Sequence, residues 1–204
     1  MGDEGRTWVD ETFVDEDWYG RELTGQTYHG CTFREVDLTD TVSKGADFQS
    51  CLFANCRLNA STHASSAFTA CEFRRTSLFS ATLDGCKLTG SVFVDCRLRP
   101  MTVRGGQSWG VVMRGADLTG LDLSGLPLQE ADLSEANLSD TSLQGCDLSR
   151  ASLRNARLRD ADLRGARLEG VDLSSAIVRG TRMDLVGAVA VAESHGVVVD
   201  AAPD

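Results

Sequence analysis

Ala131-Asp132-Leu133-Ser134-Glu135 is followed directly by Ala136-Asn137-Leu138-Ser139-Asp140. Each unit runs small, polar, large apolar, polar, polar. The same beat spreads outward in both directions without a slip, from Phe13 to Met183. Of the 35 residues at every fifth position in that span, 32 are Leu, Phe, Val, Met, Trp or Tyr; the exceptions are Ser43, His63 and Ser108. The residue two before each centre is usually small. Between Cys31 and Thr181 that series has 31 members, of which 27 are Ala, Cys, Ser, Thr or Val. A period of five fits neither a helix nor a flat strand. It requires a chain that turns a corner every five residues, with the centre and the small residue inward and the other three outward. Nearly the whole chain is one repeat array.

Four corners close a coil of 20 residues, and different residue types repeat at that longer period. Phe13, Phe33, Phe53, Phe73 and Phe93 lead to Met113, Leu133, Leu153 and Leu173. Gly25, Gly45, Gly85, Gly105, Gly125, Gly145 and Gly165 form a column, interrupted by Ser65, where a type II turn would take a positive φ. The fold class is therefore all-β: a four-sided solenoid of between eight and nine coils, roughly 40 Å long at a spacing of about 4.8 Å. Each coil touches only its neighbours, so the ends need covering.

All seven cysteines (Cys31, Cys51, Cys56, Cys71, Cys86, Cys96 and Cys146) occupy the small inward register. They read as small core residues. Their odd number and their spacing argue against a disulfide framework or a zinc site. His29 falls outward, His63 replaces a core apolar residue, and His195 lies near the C-terminus, so the histidines do not converge. No phosphate loop, metal spacing or nucleophile motif occurs. The expectation is a protein without catalysis, cofactor or metal that binds through its outer walls.

Three segments are expected: a lead-in over 1–12, the repeats over 13–183, and a C-terminal helix and tail over 184–204. Asp184 can cap a helix running from Leu185 to His195, and Gly196 can end it. That helix is apolar on most sides. One face suffices to plug the last coil. Leu185, Val186, Val189 and Val191, with Val197 and Val199, are then candidates for joining a second copy; a monomeric cap with a strand folding back is the plainer alternative. The stretch from Pro100 to Gly110 is the weakest, with Gly105-Gly106, a Ser108 centre and an outward Trp109. It reads as a local bulge or a contact point.

The formal net charge is −10. No apolar run is long enough to span a membrane. The polar, acidic start (Met1 to Arg6) lacks the order of a signal peptide, so a cytoplasmic location is expected. Between Gly115 and Ser149 stand seven acids and no base: Asp117, Asp122, Glu130, Asp132, Glu135, Asp140 and Asp147. Asp3 to Glu22 is a second acidic cluster. From Arg150 to Arg182 the balance reverses, with eight arginines. Viewed at a period of 20, one edge collects Asp15, Asp17, Glu35, Asp37, Asp40, Asp95, Asp117, Glu135, Asp140 and Asp160. Such a surface repels nucleic acid and attracts a basic partner.

The Ala-Asp-Leu-x-x units resemble the pentapeptide repeat family. That resemblance implies a right-handed quadrilateral β-helix. Gly90-Ser91-Val92-Phe93-Val94-Asp95-Cys96-Arg97-Leu98-Arg99-Pro100 and the ending Ala188 to Ala192 with His195-Gly196 are similar to its fluoroquinolone-resistance members. Those are dimeric rods, joined through a C-terminal helix, that imitate B-form DNA and bind DNA gyrase. The resemblance implies a homodimer whose acids meet DNA gyrase or topoisomerase IV, with no direct nucleic-acid binding. The alternative is an interaction scaffold for another basic protein.

Overall fold

The computed structural model describes residues 5–200. The acids Asp3 and Glu4 and the tail from Ala201 to Asp204 lie outside the described residues. The chain winds through four walls. The first wall holds strands Thr7–Val9, Thr27–His29, Asp47–Gln49 and Ala67–Thr69. The second holds Thr12–Val14, Thr32–Arg34, Leu52–Ala54, Glu72–Arg74 and Val92–Val94. The fourth holds Glu22–Thr24, Val42–Lys44, Thr62–Ala64, Thr82–Asp84 and Thr102–Arg104. The third wall, through Trp18 and Leu38, carries only single bridges such as Asp17↔Asp37 and Ser77↔Arg97. Every pairing is parallel, and register partners are 20 residues apart, as in Phe73↔Phe93 and Ser43↔His63. Beyond the last strand the ladder continues as single bridges to Asp162↔Arg182. Thr7–Val9 already pairs with Thr27–His29, so the coil is under way before Phe13.

In-register parallel stacking puts like on like. The rings of Phe13, Phe33, Phe53, Phe73 and Phe93 stack at 5.0, 4.6, 4.8 and 4.7 Å. A second column runs Trp8, Tyr28, Phe48 and Phe68 at 4.6, 4.7 and 4.9 Å. These separations match the coil spacing, so each ring lies flat on the next and leaves no void. Leu133, Leu153 and Leu163 are fully buried. Six cysteines are buried, Cys96 is half-buried, and all are free thiols. Cys51, Cys56 and Cys71 donate to the carbonyls of Tyr28, Phe33 and Phe48, each at 3.3 Å.

Every member of the glycine column from Gly25 to Gly165 takes the expected positive φ, and the corners extend that pattern. Between Phe13 and Val178 the left-handed residue falls two after each centre, Pro100 and Ser175 excepted, and residues other than glycine also hold it. Asp15, Glu35, Asp95, Glu135 and Asp140 hold it at φ 52°, 57°, 53°, 63° and 58°. In the later coils the turn closes conventionally: the Leu121 N–H donates to the Leu118 carbonyl at 3.2 Å, with Gly120 at φ 70°. One glycine is obligatory for another reason. Gly106 occupies the small inward register, and a Cβ there would collide with the Cys86 carbonyl.

The C-terminal helix spans Leu185–Ser194, with His195 as its cap rather than its last turn. Asp184 caps its start by accepting from the Gly187 N–H at 2.9 Å. The same carboxylate accepts from the Gly165 N–H at 2.9 Å, which ties the helix to the coil beneath. Ala190 and Val191 pack on the core and close the last coil. Val197 to Val199 form no strand.

Candidate partner-binding surface

The pentapeptide register decides where each acid points. Residues five apart lie on successive walls, and only residues 20 apart share one. The seven acids from Asp117 to Asp147 therefore ring the rod. Asp147 lies on the first wall, Asp132 on the second, Asp117 on the third and Asp122 on the fourth. Glu130, Glu135 and Asp140 occupy three corners. Asp117, Glu135 and Asp140 belong together, on the third wall and its two edges. The edge series from Asp15 to Asp160 likewise occupies this wall and both its corners.

Arginines from outside the run answer four of the seven. Arg99 donates two bonds of 2.9 Å to Asp117. Arg114 reaches Glu135 at 2.6 Å, Arg150 reaches Glu130 at 2.9 Å, and Arg167 reaches Asp147 at 3.5 Å. Asp122, Asp132 and Asp140 make no ion pair among the described residues. The pairs are exposed, so they adjust the surface potential more than they stabilise the fold. Partial burial pushes the Asp117 carboxyl up, but the hydroxyl and N–H of Thr119 and the Arg99 guanidinium outweigh it, and the group titrates below its usual range. The hydroxyl and N–H of Ser124 hold Asp122 low in the same direction. Both stay charged well into mild acid.

The arginine-rich coils are only partly balanced. Arg164 holds Asp162 down to about 2. Arg154, Arg157, Arg159 and Arg179 make no ion pair among the described residues. Three of these, with the exposed Ile177, give the last coils of the third wall a basic face that sequence order hides.

At the C-terminal end the helix covers the core yet leaves apolar surface outside. Leu185 is 81% exposed, Val186 71% and Val198 83%; Val197 and Val199 are also exposed. Val189 and Val191 are half-buried against the coil. The candidate dimer residues thus divide into an outer set and an inner set. Trp109 faces outward, 49% exposed. His29 is exposed, His63 is buried, and His195 lies at the helix end, so the three stay apart. No cluster of three metal-ligating side chains occurs among the described residues. Among them, too, no helix is long and apolar enough to cross a membrane.

A four-sided solenoid whose interior is filled by its own side chains is a repeat architecture. Its sequence matches the family of Pentapeptide repeats, in eight copies over residues 109–134, 131–170 and 151–186. Residues 109–186 thus carry pentapeptide repeats. The chain is 41% identical over 103 residues to the "Pentapeptide repeat protein MfpA" of Mycobacterium tuberculosis, a match covering 50% of this chain and 54% of that one. The chain thus spans about half the length of this relative. A trypsin-treated variant of QnrB1, described as a plasmid-mediated fluoroquinolone resistance protein, shares the fold with a TM-score of 0.76 at 19% identity, over 98% of this chain and 100% of that one. Full-length QnrB1 gives 0.57 at 18% identity, over 94% and 100%.

Proposed function

We propose that this chain is a DNA mimic that binds DNA gyrase or topoisomerase IV and protects it from poisons such as fluoroquinolones or a natural-product inhibitor. The observation that carries the reading is a four-walled rod that turns its acids outward, in a chain whose formal net charge is −10. The likeness to MfpA and the fluoroquinolone-resistance function of the similarly folded QnrB1 support it. The working unit is a homodimer joined end to end through Leu185, Val186 and the Val197 to Val199 segment, with Val189 and Val191 seating the helix. Two rods of about 40 Å reach roughly 80 Å, the length of about 24 base pairs at 3.4 Å each. Carboxylates on the walls stand where phosphates would stand in a basic saddle, and the reaction chemistry stays with the topoisomerase. The protein works in the cytoplasm and touches neither DNA nor membrane.

The test is a supercoiling titration with purified gyrase, with and without a quinolone, at two salt concentrations. The rod should change supercoiling or drug-induced cleavage at low salt and lose potency as salt rises, because the contacts are screened beyond about 8 Å at physiological ionic strength. Absence of any effect on gyrase would sink the reading and leave a scaffold for another basic protein.

A further inference from the structure

The coils do not stack evenly. Around most of the rod each wall bonds to the wall below. Leu78 donates to Arg97, Gly85 to Arg104 and Leu88 to Gln107, at 2.8, 2.7 and 2.6 Å. One coil further on, the equivalents are missing. Among the described residues, no backbone hydrogen bond joins residues 97–108 to residues 117–128. The bridges expected at 97↔117, 102↔122 and 107↔127 are absent on the third, fourth and first walls. The second wall alone runs through, as Val92↔Val112↔Asp132.

Packing follows the same line. Cys96, Met101, Val103, Gly106 and Ala116 are half-buried, whereas Thr76, Ala81, Leu83, Cys86 and Ala136, one coil away, are buried. A small apolar cavity lies in the gap, lined by Met101, Val103, Met113, Leu121 and Leu126 among others. The cause lies in the inner register. Met101, Gly106, Leu121 and Leu126 are the only members of that series from Cys31 to Thr181 that are not Ala, Cys, Ser, Thr or Val. Met101, Leu121 and Leu126 bring large side chains into a register that elsewhere holds small ones, so they crowd the centres beside them and these coils cannot close on one another. Pro127 also lacks the N–H that its wall would use. Across the seam, the direct side-chain polar link is the Arg99–Asp117 pair.

From these observations we infer that the seam is a hinge. The two blocks tilt about the continuous second wall and open on the opposite, fourth wall. Backbone bonds resist stretching far more than exposed side-chain contacts do, so a joint bonded along one side bends away from it. Hinge motions of this kind run on microseconds to milliseconds. The inference rests on the ladder alone and holds whatever partner the rod binds.

Nitroxide pairs read the hinge directly, in a Cys96→Ser background whose remaining thiols are buried. Three doubly labelled chains each span four coils, roughly 19 Å. Thr62→Cys with Ser142→Cys crosses the seam on the fourth wall. Glu72→Cys with Ser152→Cys crosses it on the second. Glu22→Cys with Thr102→Cys stays within the first block on the fourth wall. The fourth-wall crossing pair should give a distance distribution about twice as wide as either of the others. Equal widths for all three pairs would overturn the hinge, and so would equal broadening of both crossing pairs. Amide exchange is a second readout. The Leu98 and Val103 N–H groups should exchange at least about 100-fold faster than those of Leu78 and Leu83; equal protection would overturn the seam itself.

Discussion

His63 sits at a centre otherwise reserved for apolar side chains. Its Nδ1 lies 2.7 Å from the Ser43 hydroxyl and its Nε2 lies 3.0 Å from the Ser61 hydroxyl. Phe68 meets its ring edge-on at 5.1 Å. The polar atoms are satisfied, but a cation would have no water and no counter-charge. Burial therefore pushes its pKa down to about 4 from the ordinary 6.5. The unfolded chain binds this proton more readily than the folded one. Stability is thus complete above pH 6.5 and falls by about 1.4 kcal/mol per pH unit between 6.5 and 4, about 3 kcal/mol in all. Urea midpoints at pH 7, 6 and 5 should fall for the wild type and stay level for His63→Leu. A level wild-type curve would rule out this account. Gly106 gives a steric test of the same kind. Gly120→Ala meets open space and should cost about 1 kcal/mol for its positive φ. Gly106→Ala drives a methyl group into the Cys86 carbonyl and should cost at least about 2 kcal/mol more by the same unfolding measurement.

At the scale of elements, the helix depends on one carboxylate. Asp184 serves the Gly187 and Gly165 N–H groups at once, so Asp184→Ala loses the cap and the tether together. The expected cost is about 1–2 kcal/mol, or about 2–8 °C in the melting temperature. An unchanged melt would mean the helix is held by the packing of Ala190 and Val191 and by the Leu173 N–H bond to the Ser194 hydroxyl. The sequence already displayed the strands, because a register of five leaves no other way to hide Leu133 or Phe53. It also showed the helix and its cap at Asp184. The corner chemistry was less legible. The glycine column marked the positive-φ corners of one edge, but at the other edges Asp, Glu, Ser and Asn hold the same φ, and stacking bonds such as Asp140 N–H to Arg159 at 2.9 Å offset the strain. Pro100 and Gly105-Gly106 marked the weak stretch. Its mechanical meaning emerges only when Met101 is seen above Leu121, two positions 20 residues apart.

For the whole molecule, the question is which side of the rod faces a partner. Seven acids in a row look like a band in sequence, yet the coil distributes them over every wall, and four already hold an arginine. DNA seated in a saddle is touched on one side, and a mimic should be as well. Asp117, Glu135 and Asp140 share the third wall and its edges, whereas Asp122, Asp132 and Asp147 lie on the other three. Asp117→Asn, Glu135→Gln and Asp140→Asn together change the net charge by the same amount as Asp122→Asn, Asp132→Asn and Asp147→Asn together. Long-range steering is therefore altered about equally, and local contact is not. The first set also frees Arg99 and Arg114, so the third wall becomes locally basic. If that wall meets the topoisomerase, the first triple variant should lose about tenfold more potency than the second in a low-salt supercoiling titration, a difference of about 1.4 kcal/mol. Both should fold, since these side chains are outward and surface changes of this type rarely cost more than about 0.5 kcal/mol each. Equal losses would mean that total charge alone draws the rod to its partner. A larger loss in the second triple would move the contact to another wall.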